Sequence, residues 1–454
     1  MMIDKSLTLS RRSAVCNSFL AMDKKGDIFD EPRKNNGISF YKSKTLEMLT
    51  PLAPSVLRQA LWLLLLCYSS AALRSQSASA GMQRAIDAVA ALPALRHAGF
   101  GVCVIDVQSG RVVASHQSDL SLTPASTLKV VTTATALAVL GADYRYPTVL
   151  EYDGTLREGR LDGNLYLRGS GDPTLGSDQL EATLSLAALM KRFRLAVQQR
   201  GIRRIDGYVI GDDRCLPSAV NGPTWQWNDL GNYYAAGAWG LNIHENLYYL
   251  RFRQASRLGA TPAIAAVDPP VPGLTFRNEV TSAGARSGDN AYIYGAPYTF
   301  DRYVRGTIPV GSDLFSIKGS IPHPPLFAAQ HLVMNLERVG IVAARGAAAI
   351  RELEDDRRPG GEREVLRTHY SPPLAAIVER ANRNRVNLYC ESLLRSIGRQ
   401  RKNDGSLEKS LAAVAELWQQ RGLRLHGVHL RDGSGLSART TVTTPFLARL
   451  PRTA

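Results

Sequence analysis

The sequence predicts an α+β protein in which a long, mainly β region is inserted after a first helix-containing segment. Helical spacing of apolar residues occurs at 82–97 and returns over three segments after residue 370. Between them, short β-like runs alternate with Gly, Pro, Asn and Asp. A chain of 454 residues is also long enough for two or three domains. We therefore expect one or two inserted β-rich domains at residues 146–365.

The first segment contains a predicted hairpin followed by a predicted helix. Two β-rich runs, 101–107 and 111–115, flank a short glycine-containing turn. A strongly apolar helix follows, for which Thr123 is the predicted N-cap, Pro124 the first helical residue and Gly141 the end.

The rest of the chain changes from strand-like to helical patterns. The clearest strand-like runs of the central region are 165–167, 208–210 and 247–250. The charged run 351–364 is predicted to mark the end of the insertion. Helical periodicity then predicts helices at 373–381, 388–397 and 407–420.

A secretory signal peptide is predicted at residues 48–80. Arg58 precedes the apolar stretch 60–68, and small residues follow, ending in Ala78-Ser79-Ala80. The apolar stretch is too short for a comfortable transmembrane span, and a buried helix is the alternative interpretation. Because the signal begins near residue 48, we expect translation to start there and residues 1–47 to be an untranslated or disordered leader. We expect an exported, periplasmic or cell-envelope protein without a transmembrane anchor.

Charge and cysteine content bear on three possibilities: a nucleic-acid partner, a metal site and a disulfide framework. A formal net charge of +15 would favour an anionic partner such as a cell-envelope polymer or nucleic acid. However, the sequence has no Lys/Arg run interleaved with aromatic residues, so scattered solvated charge is the favoured interpretation and no nucleic-acid partner is expected. The five cysteines lack C-x-x-C spacing and a His pair at ligand spacing. We therefore expect neither a metal site nor a disulfide framework.

Ser126 and Lys129 are the candidate nucleophile and base. They are three residues apart on one predicted helix, so their side chains share a face. Desolvation in a cleft would lower the pKa of Lys129, and its neutral amine would then accept the Ser126 proton. The Ser-x-x-Lys pattern is weak alone, because it also occurs at Ser39 and Ser406. Only Ser126 opens a capped apolar helix, whereas Ser406 is more simply a helix N-cap.

Further rare strings surround this pair in the sequence. They are Pro-Ala-Ser-Thr-Leu-Lys at 124–129, Gly-Ser-Gly-Asp-Pro-Thr-Leu at 169–175, Ile-Gly-Asp-Asp at 210–213, Trp-Asn-Asp-Leu-Gly-Asn-Tyr-Tyr at 227–234, Asn-Leu-Tyr-Cys-Glu at 387–391 and Asp-Gly-Ser-Gly-Leu-Ser at 432–437. In these strings and their order, the chain resembles the penicillin-binding D-alanyl-D-alanine carboxypeptidase/endopeptidase family (low-molecular-mass class C). The resemblance covers nearly all of residues 84–450.

The resemblance implies a β-lactamase/transpeptidase-like peptidase domain, an antiparallel sheet flanked by helices, formed from residues 82–145 and 366–454. It implies that Ser126 is the acylated nucleophile, that Lys129 is its general base, and that Asn387 belongs to a second motif, Ser-x-Asn. The substrate would be the D-Ala-D-Ala end or a peptide cross-link of peptidoglycan. β-Lactams would be acylating inhibitors, and no cofactor would be needed.

The sequence departs from the family pattern at two motifs. The serine position of Ser-x-Asn holds Arg385, whose guanidinium offers only donors and cannot relay a proton as a hydroxyl does. The third motif, Lys-Thr-Gly, is absent, and Thr440 stands where an asparagine is expected. The missing strand would supply one N–H of the oxyanion hole, the loss of which costs about 10²–10³-fold in rate. We therefore expect a copy truncated at its C-terminus, with doubtful activity.

Three functions remain open on the sequence alone. They are a serine-type D-Ala-D-Ala carboxypeptidase/endopeptidase, an inactive remnant that at best binds peptidoglycan, and another serine hydrolase, such as an esterase or β-lactamase, on the same scaffold. Analogy of fold does not choose between these chemistries.

Overall fold

The computed structural model describes residues 79–353 and 361–453. The chain divides into two units after Gly81, and the second unit, Met82–Ala454, contains the elements discussed below except for the first three residues of the first helix. The predicted leader, 1–47, and all but the last two residues of the predicted signal peptide lie outside the described residues. Among the described residues, no helix combines the length and apolar character needed to cross a bilayer.

Helices and strands are both abundant, which confirms the predicted α+β class. The helices are α1 (residues 79–90), α2 (Leu128–Leu140), α3 (Leu186–Gln199), α4 (Trp227–Leu230), α5 (Pro324–Glu337), α6 (Leu374–Asn384), α7 (Asn387–Lys402), α8 (Leu407–Gln420) and α9 (Thr444–Thr453). The strands are β1 (Val102–Ile105), β2 (Val112–His116), β3 (Pro147–Tyr152), β4 (Thr155–Arg157), β5 (Arg160–Asp162), β6 (Leu165–Arg168), β7 (Arg204–Ile205), β8 (Val209–Asp212), β9 (Leu247–Arg253), β10 (Ala263–Asp268), β11 (Thr275–Ala283), β12 (Asn290–Tyr294), β13 (Asp301–Pro309), β14 (Leu314–Ser320), β15 (Val342–Ala343), β16 (Ala347–Ala349) and β17 (Glu364–Tyr370).

These strands form separate small sheets in the described part of the chain. β1 and β2 make a two-stranded antiparallel hairpin, which confirms the hairpin predicted from the sequence. The others have the strand orders β16-β8-β6-β3-β17, β15-β7-β5-β4, β10-β9-β14 and β11-β13-β12. Gln83 of α1 covers the outer edge of β2, because its amide both donates to and accepts from the backbone of Ser115, each at 3.0 Å.

One hydrophobic core joins the two ends of the chain. Its buried side chains come from residues 128–146 and 374–450, together with Ala238. Within it, α7 packs against both α2 and α8, and the Trp418 indole N–H donates to the hydroxyl of Thr135 at 2.8 Å. Helix α2 is thereby held by elements from the far end of the sequence.

A second core fills the inserted region, with buried side chains from residues 150–343. The predicted strand-like runs fall on β6, β8 and β9 and are confirmed. Helices α3 and α5 also lie in this region and were not predicted. Helix α3 begins at an ordinary N-cap, since the Ser185 hydroxyl accepts the N–H of Ala188 at 3.3 Å.

The segments at the start and the end of the insertion lie next to each other. β17 pairs antiparallel with β3, with Tyr370 opposite Pro147. Just outside this pairing, the Ser371 hydroxyl accepts the N–H of Tyr146 at 2.9 Å, and the Ser371 N–H donates to the Tyr146 carbonyl at 3.0 Å. The predicted domain boundary at 365 falls inside β17.

The three helices predicted after residue 370 are present as α6, α7 and α8, so these predictions are confirmed. The predicted N-cap role of Ser406 is also confirmed, because its hydroxyl accepts the N–H of Lys409 at 3.4 Å at the start of α8. Helix capping therefore explains the serine of the Ser-x-x-Lys match at Ser406. The third match, at Ser39, lies outside the described residues.

Candidate active site

Ser126 lies in a short 3-10 turn, Ala125–Thr127, that leads directly into α2. Ala125 has a left-handed backbone, with φ 47°. The predicted N-cap role of Thr123 is wrong, because its hydroxyl donates instead to the carbonyl of Ala438 at 3.3 Å. The physical reason is that the turn begins only at Ala125, which leaves Thr123 one residue too early to act as its cap.

The structure brings Ser126 and Lys129 together across this first turn. The Lys129 Nζ lies 3.2 Å from the Ser126 Oγ. The Lys129 side chain is only 2% exposed, whereas Ser126 is half-buried. The same Nζ donates to the carbonyl of Ser434 at 2.7 Å. A buried amine therefore lies between a partly accessible hydroxyl and one fixed backbone acceptor.

Burial lowers the pKa of Lys129 below its ordinary value. Three neighbouring groups, Cys390, Glu391 and Asp432, oppose this lowering of the pKa. The cation of Arg385 adds to it. A lowered pKa increases the neutral fraction of the amine, and a neutral amine has a lone pair that accepts a hydroxyl proton.

The loop 432–437, Asp-Gly-Ser-Gly-Leu-Ser, forms the wall of the site against Lys129. Asp432, which is 1% exposed, organises this loop by accepting the N–H of Ser437 at 2.6 Å and that of Gly435 at 3.1 Å. Thr440, at the position where an asparagine was expected, donates its hydroxyl to Asp432 at 3.2 Å. Thr440 thus adds a hydrogen bond to the carboxylate that organises the loop.

Gly435 allows this loop to approach the backbone next to the nucleophile. Its φ of +76° lies in the left-handed region, and a Cβ at this position would come within 1.8 Å of the Ala125 carbonyl oxygen. Only glycine permits both the backbone conformation and this contact.

The inserted region also contributes to the site, which the sequence did not predict. The Trp225 indole N–H donates to Asp432 at 3.0 Å, and the hydroxyls of Thr224 and Ser437 are 2.7 Å apart. The rare string at 227–234 begins two residues after Trp225, but its sequence does not indicate that Trp225 pairs with Asp432. The 432–437 loop is therefore held between α2 and the insertion.

Asn387 begins α7 and lies beside the same inserted segment. Its Nδ2 donates to the carbonyl of Tyr234 at 2.7 Å, and the described hydrogen bonds do not link its side chain to Ser126 or Lys129. Two residues earlier, Arg385 ends α6 with a left-handed backbone and an exposed side chain. Arg385 is near enough to affect Lys129 electrostatically but is otherwise open to solvent.

No described group of three or more His, Cys, Asp or Glu residues could hold a metal ion. The described cysteines, Cys103, Cys215 and Cys390, are free thiols. Within residues 79–353 and 361–453, the groups around Ser126 and Lys129 include backbone amides and carbonyls and the buried carboxylates of Glu391 and Asp432.

Comparison with known sequences gives a match to the model of the D-Ala-D-Ala carboxypeptidase 3 (S13) family over residues 82–453. A D-alanyl-D-alanine carboxypeptidase of Actinomadura sp. (strain R39) is 28% identical over 379 residues, which cover 80% of this chain and 66% of that protein. The D-alanyl-D-alanine carboxypeptidase DacB of Haemophilus influenzae is 26% identical over 344 residues, covering 75% and 68%. The chain thus spans about two thirds of the length of these curated relatives.

Comparison with solved structures gives the same fold. The crystal structure of penicillin binding protein 4 (dacB) from Haemophilus influenzae matches with a TM-score of 0.66 at 23% identity, covering 78% of this chain and 74% of that one. The same protein complexed with a novel beta-lactam matches with a TM-score of 0.63 at 21% identity, covering 81% and 76%. These matches confirm the predicted penicillin-binding peptidase fold.

Proposed function

Because the chain belongs to the D-Ala-D-Ala carboxypeptidase 3 (S13) family of serine peptidases, we propose that it is a D-Ala-D-Ala carboxypeptidase/endopeptidase of cell-wall peptidoglycan. One observation carries this proposal. A buried lysine amine with a lowered pKa lies 3.2 Å from the hydroxyl of Ser126. The substrate class is taken from the two relatives, each of which is a D-alanyl-D-alanine carboxypeptidase.

The proposed reaction has two stages, acylation of Ser126 and hydrolysis of the resulting ester. Ser126 Oγ attacks the carbonyl of the scissile D-Ala-D-Ala bond while the neutral Lys129 amine takes the hydroxyl proton. The protonated Lys129 then gives a proton to the leaving amine, which releases D-Ala and leaves an ester on Ser126. Water hydrolyses this ester with Lys129 again as the base, and no cofactor takes part. Asn387, at the start of α7, is proposed to contact the substrate or the Ser126–Lys129 pair.

Acylation by a penicillin tests this proposal directly. The chain is incubated with a labelled penicillin, its intact mass is measured, and the adduct is mapped by peptide digestion. We expect one adduct, located on Ser126. A Ser406→Ala variant is the matched control, since Ser406 has the same Ser-x-x-Lys spacing but caps α8; it should be labelled as fully as the parent. An adduct on Ser39 or Ser406 would refute the assignment.

A second candidate function is binding of peptidoglycan peptides without turnover. The observation in its favour is Arg385, which stands at the serine position of the second motif and places a cation, not a hydroxyl, near Lys129. Under this function, penicillin would leave the mass of the protein unchanged, while stem peptides would still bind.

Replacing Arg385 by serine should raise the rate of acylation. The hydroxyl restores a group that accepts and donates a proton, and general acid–base relays contribute about 10²–10⁴-fold. Removing the cation also raises the pKa of Lys129, so the pH at which acylation reaches half its plateau should move upward. Stopped-flow acylation between pH 6 and pH 10 measures both effects.

Arg383→Ser is the matched control for this change. Arg383 is exposed and pairs with Glu379 at 3.1 Å on the surface of α6. Its loss removes the same charge two residues away and should leave acylation unaltered. An Arg385→Ser variant with the parental rate and pH profile would contradict the prediction.

We also propose that the protein is exported and that its mature chain begins near Gly81. The motivation is Arg58, the apolar stretch 60–68 and the cleavage pattern Ala78-Ser79-Ala80. N-terminal sequencing of protein from the cell-envelope fraction should start within a few residues of Gly81. Recovery of residues 1–47 on the envelope protein would refute this expectation.

A further inference from the structure

Glu391 is a buried carboxylate on α7, one turn after Asn387, and its side chain is only 3% exposed. Its Oε1 accepts two backbone hydrogen bonds, from the N–H of Gly433 at 3.0 Å and from that of Ser434 at 2.8 Å. Burial and the nearby Asp432 raise the pKa of Glu391. Burying a carboxylate costs free energy unless hydrogen bonds to its oxygens offset the lost hydration. The two backbone amides provide such hydrogen bonds to Glu391.

The loop 432–437 has two chemically different faces as a result. The successive amide N–H groups of Gly433, Ser434 and Gly435 all donate to carboxylates, the first two to Glu391 and the third to Asp432. The carbonyls turn the other way, towards α2. That of Gly433 accepts the Thr132 hydroxyl at 2.6 Å.

The carbonyl of Ser434 is the acceptor for Lys129 Nζ, at 2.7 Å. A neutral amine has two N–H groups and one lone pair. When one N–H is fixed on the Ser434 carbonyl, the rotation of the amine is restricted, and its lone pair is available to the Ser126 hydroxyl, 3.2 Å away. The orientation of the base therefore depends on a backbone carbonyl whose neighbouring amides are held by carboxylates.

We propose that Glu391 is a positioning residue for the general base, acting through the amides of Gly433 and Ser434 to hold the carbonyl that orients Lys129. This inference rests on the proposed function for its kinetic consequence. The arrangement itself is a property of the described contacts. Displacement of a reacting group by about 1 Å can cost about 10²-fold in rate, so the position of this loop should limit acylation.

A competing role for Glu391 is purely electrostatic. Its negative charge raises the pKa of Lys129, as does that of Asp432, and Arg395 is the cation that faces Glu391 from its own helix. Under this role the charge would matter and the position of the oxygen would not. Two conservative substitutions separate the roles, since one keeps the acceptor and the other keeps the charge.

Glu391→Gln keeps an Oε1 acceptor at the same distance and removes the charge. Glu391→Asp keeps the charge and withdraws the carboxylate by one methylene, about 1.5 Å. If Glu391 positions the loop, Glu391→Asp should lower the plateau rate of penicillin acylation by about 10²-fold at an unchanged pH midpoint. Glu391→Gln should lower this rate by less than about tenfold, because the acceptor is kept and its hydrogen bonds are only weakened by the loss of charge. Its pH midpoint should move downward as the pKa of Lys129 falls.

Glu245→Asp and Glu245→Gln provide a matched control pair. Glu245 is also a buried carboxylate against α7, where its Oε1 accepts the hydroxyls of Tyr389 at 2.7 Å and Ser177 at 2.9 Å. The described hydrogen bonds do not connect it to the 432–437 loop. Its variants should lose thermal stability without changing the acylation rate.

Crystal structures of the two Glu391 variants give a readout that does not depend on activity. The contact between Lys129 Nζ and the Ser434 carbonyl should persist in Glu391→Gln and lengthen beyond hydrogen-bond distance in Glu391→Asp. An intact contact in Glu391→Asp would overturn the positioning role. So would a parental acylation rate in Glu391→Asp together with a large loss of rate in Glu391→Gln. A parent chain that penicillin does not label would refute the proposed function, and the two structures would still decide the role of Glu391.

Discussion

Replacing Lys129 by methionine should lower the rate of Ser126 acylation by about 10²–10⁴-fold, the usual contribution of a general base. Methionine has nearly the volume of the lysine stem, so the packing of this 2% exposed side chain is kept while the amine is lost. The Ser434 carbonyl loses its donor, which costs about 1–3 kcal/mol of the free energy of unfolding. Acylation kinetics with a labelled penicillin, together with urea unfolding, measure the two effects separately.

Lys409→Met is the matched control for this change. Lys409 has the same spacing from Ser406 as Lys129 has from Ser126, but Ser406 only caps α8. This variant should acylate at the parental rate. In the parent, acylation should rise with pH as Lys129 loses its proton, with a midpoint below pH 10.5, the unperturbed pKa of lysine. Acylation of Lys129→Met at the parental rate would show that the base is another group.

Replacing Gly435 by alanine should destabilise the fold and abolish acylation together. The new Cβ would lie 1.8 Å from the Ala125 carbonyl oxygen on a left-handed backbone. Backbone strain and overpacking each cost about 1–3 kcal/mol, so we expect a loss of about 2–6 kcal/mol in the free energy of unfolding. Any protein that folds must move either the 432–437 loop or the turn that carries Ser126, and both movements separate Lys129 from its partners.

Gly422→Ala isolates the contact from the backbone conformation. Gly422 also has a left-handed φ, +82°, but a Cβ there would meet no atom within 4 Å. It should therefore cost only the left-handed strain of about 1–2 kcal/mol and leave acylation unchanged. Equal unfolding free energies for the two variants, measured in urea, would show that the close approach of Gly435 to Ala125 has no energetic weight.

The helices near the C-terminus could be predicted because their signals are local. α8 has a serine N-cap and a regular apolar face, and both are visible in a short stretch of sequence. Helix α5 was missed for a physical reason. Eight of its 14 residues are buried, so it lacks the polar stripe that makes a helix recognisable. Its start at Pro324-Pro325 also resembles a turn.

The candidate site could be predicted in part, for the same reason. Ser126 and Lys129 lie within one helical turn, so their spacing predicts their contact. The acceptor that orients Lys129 is the backbone carbonyl of Ser434, 305 residues away in sequence. A carbonyl is present in every residue and carries no signature of its own. The hydrogen bonds of Glu391 are equally invisible, because their donors are backbone amides.

The adjacent ends of the insertion have a consequence for how such a chain could have evolved. Tyr146 and Ser371 exchange hydrogen bonds across the point where the insertion begins and ends, so an ancestral loop at this place could lengthen without separating the flanking segments. The same insertion now places the Trp225 indole on Asp432. The segment between residues 146 and 371 therefore supports the loop that packs against Lys129. A deletion that joined residue 146 to residue 371 would close the chain and still leave the 432–437 loop without one of its supports.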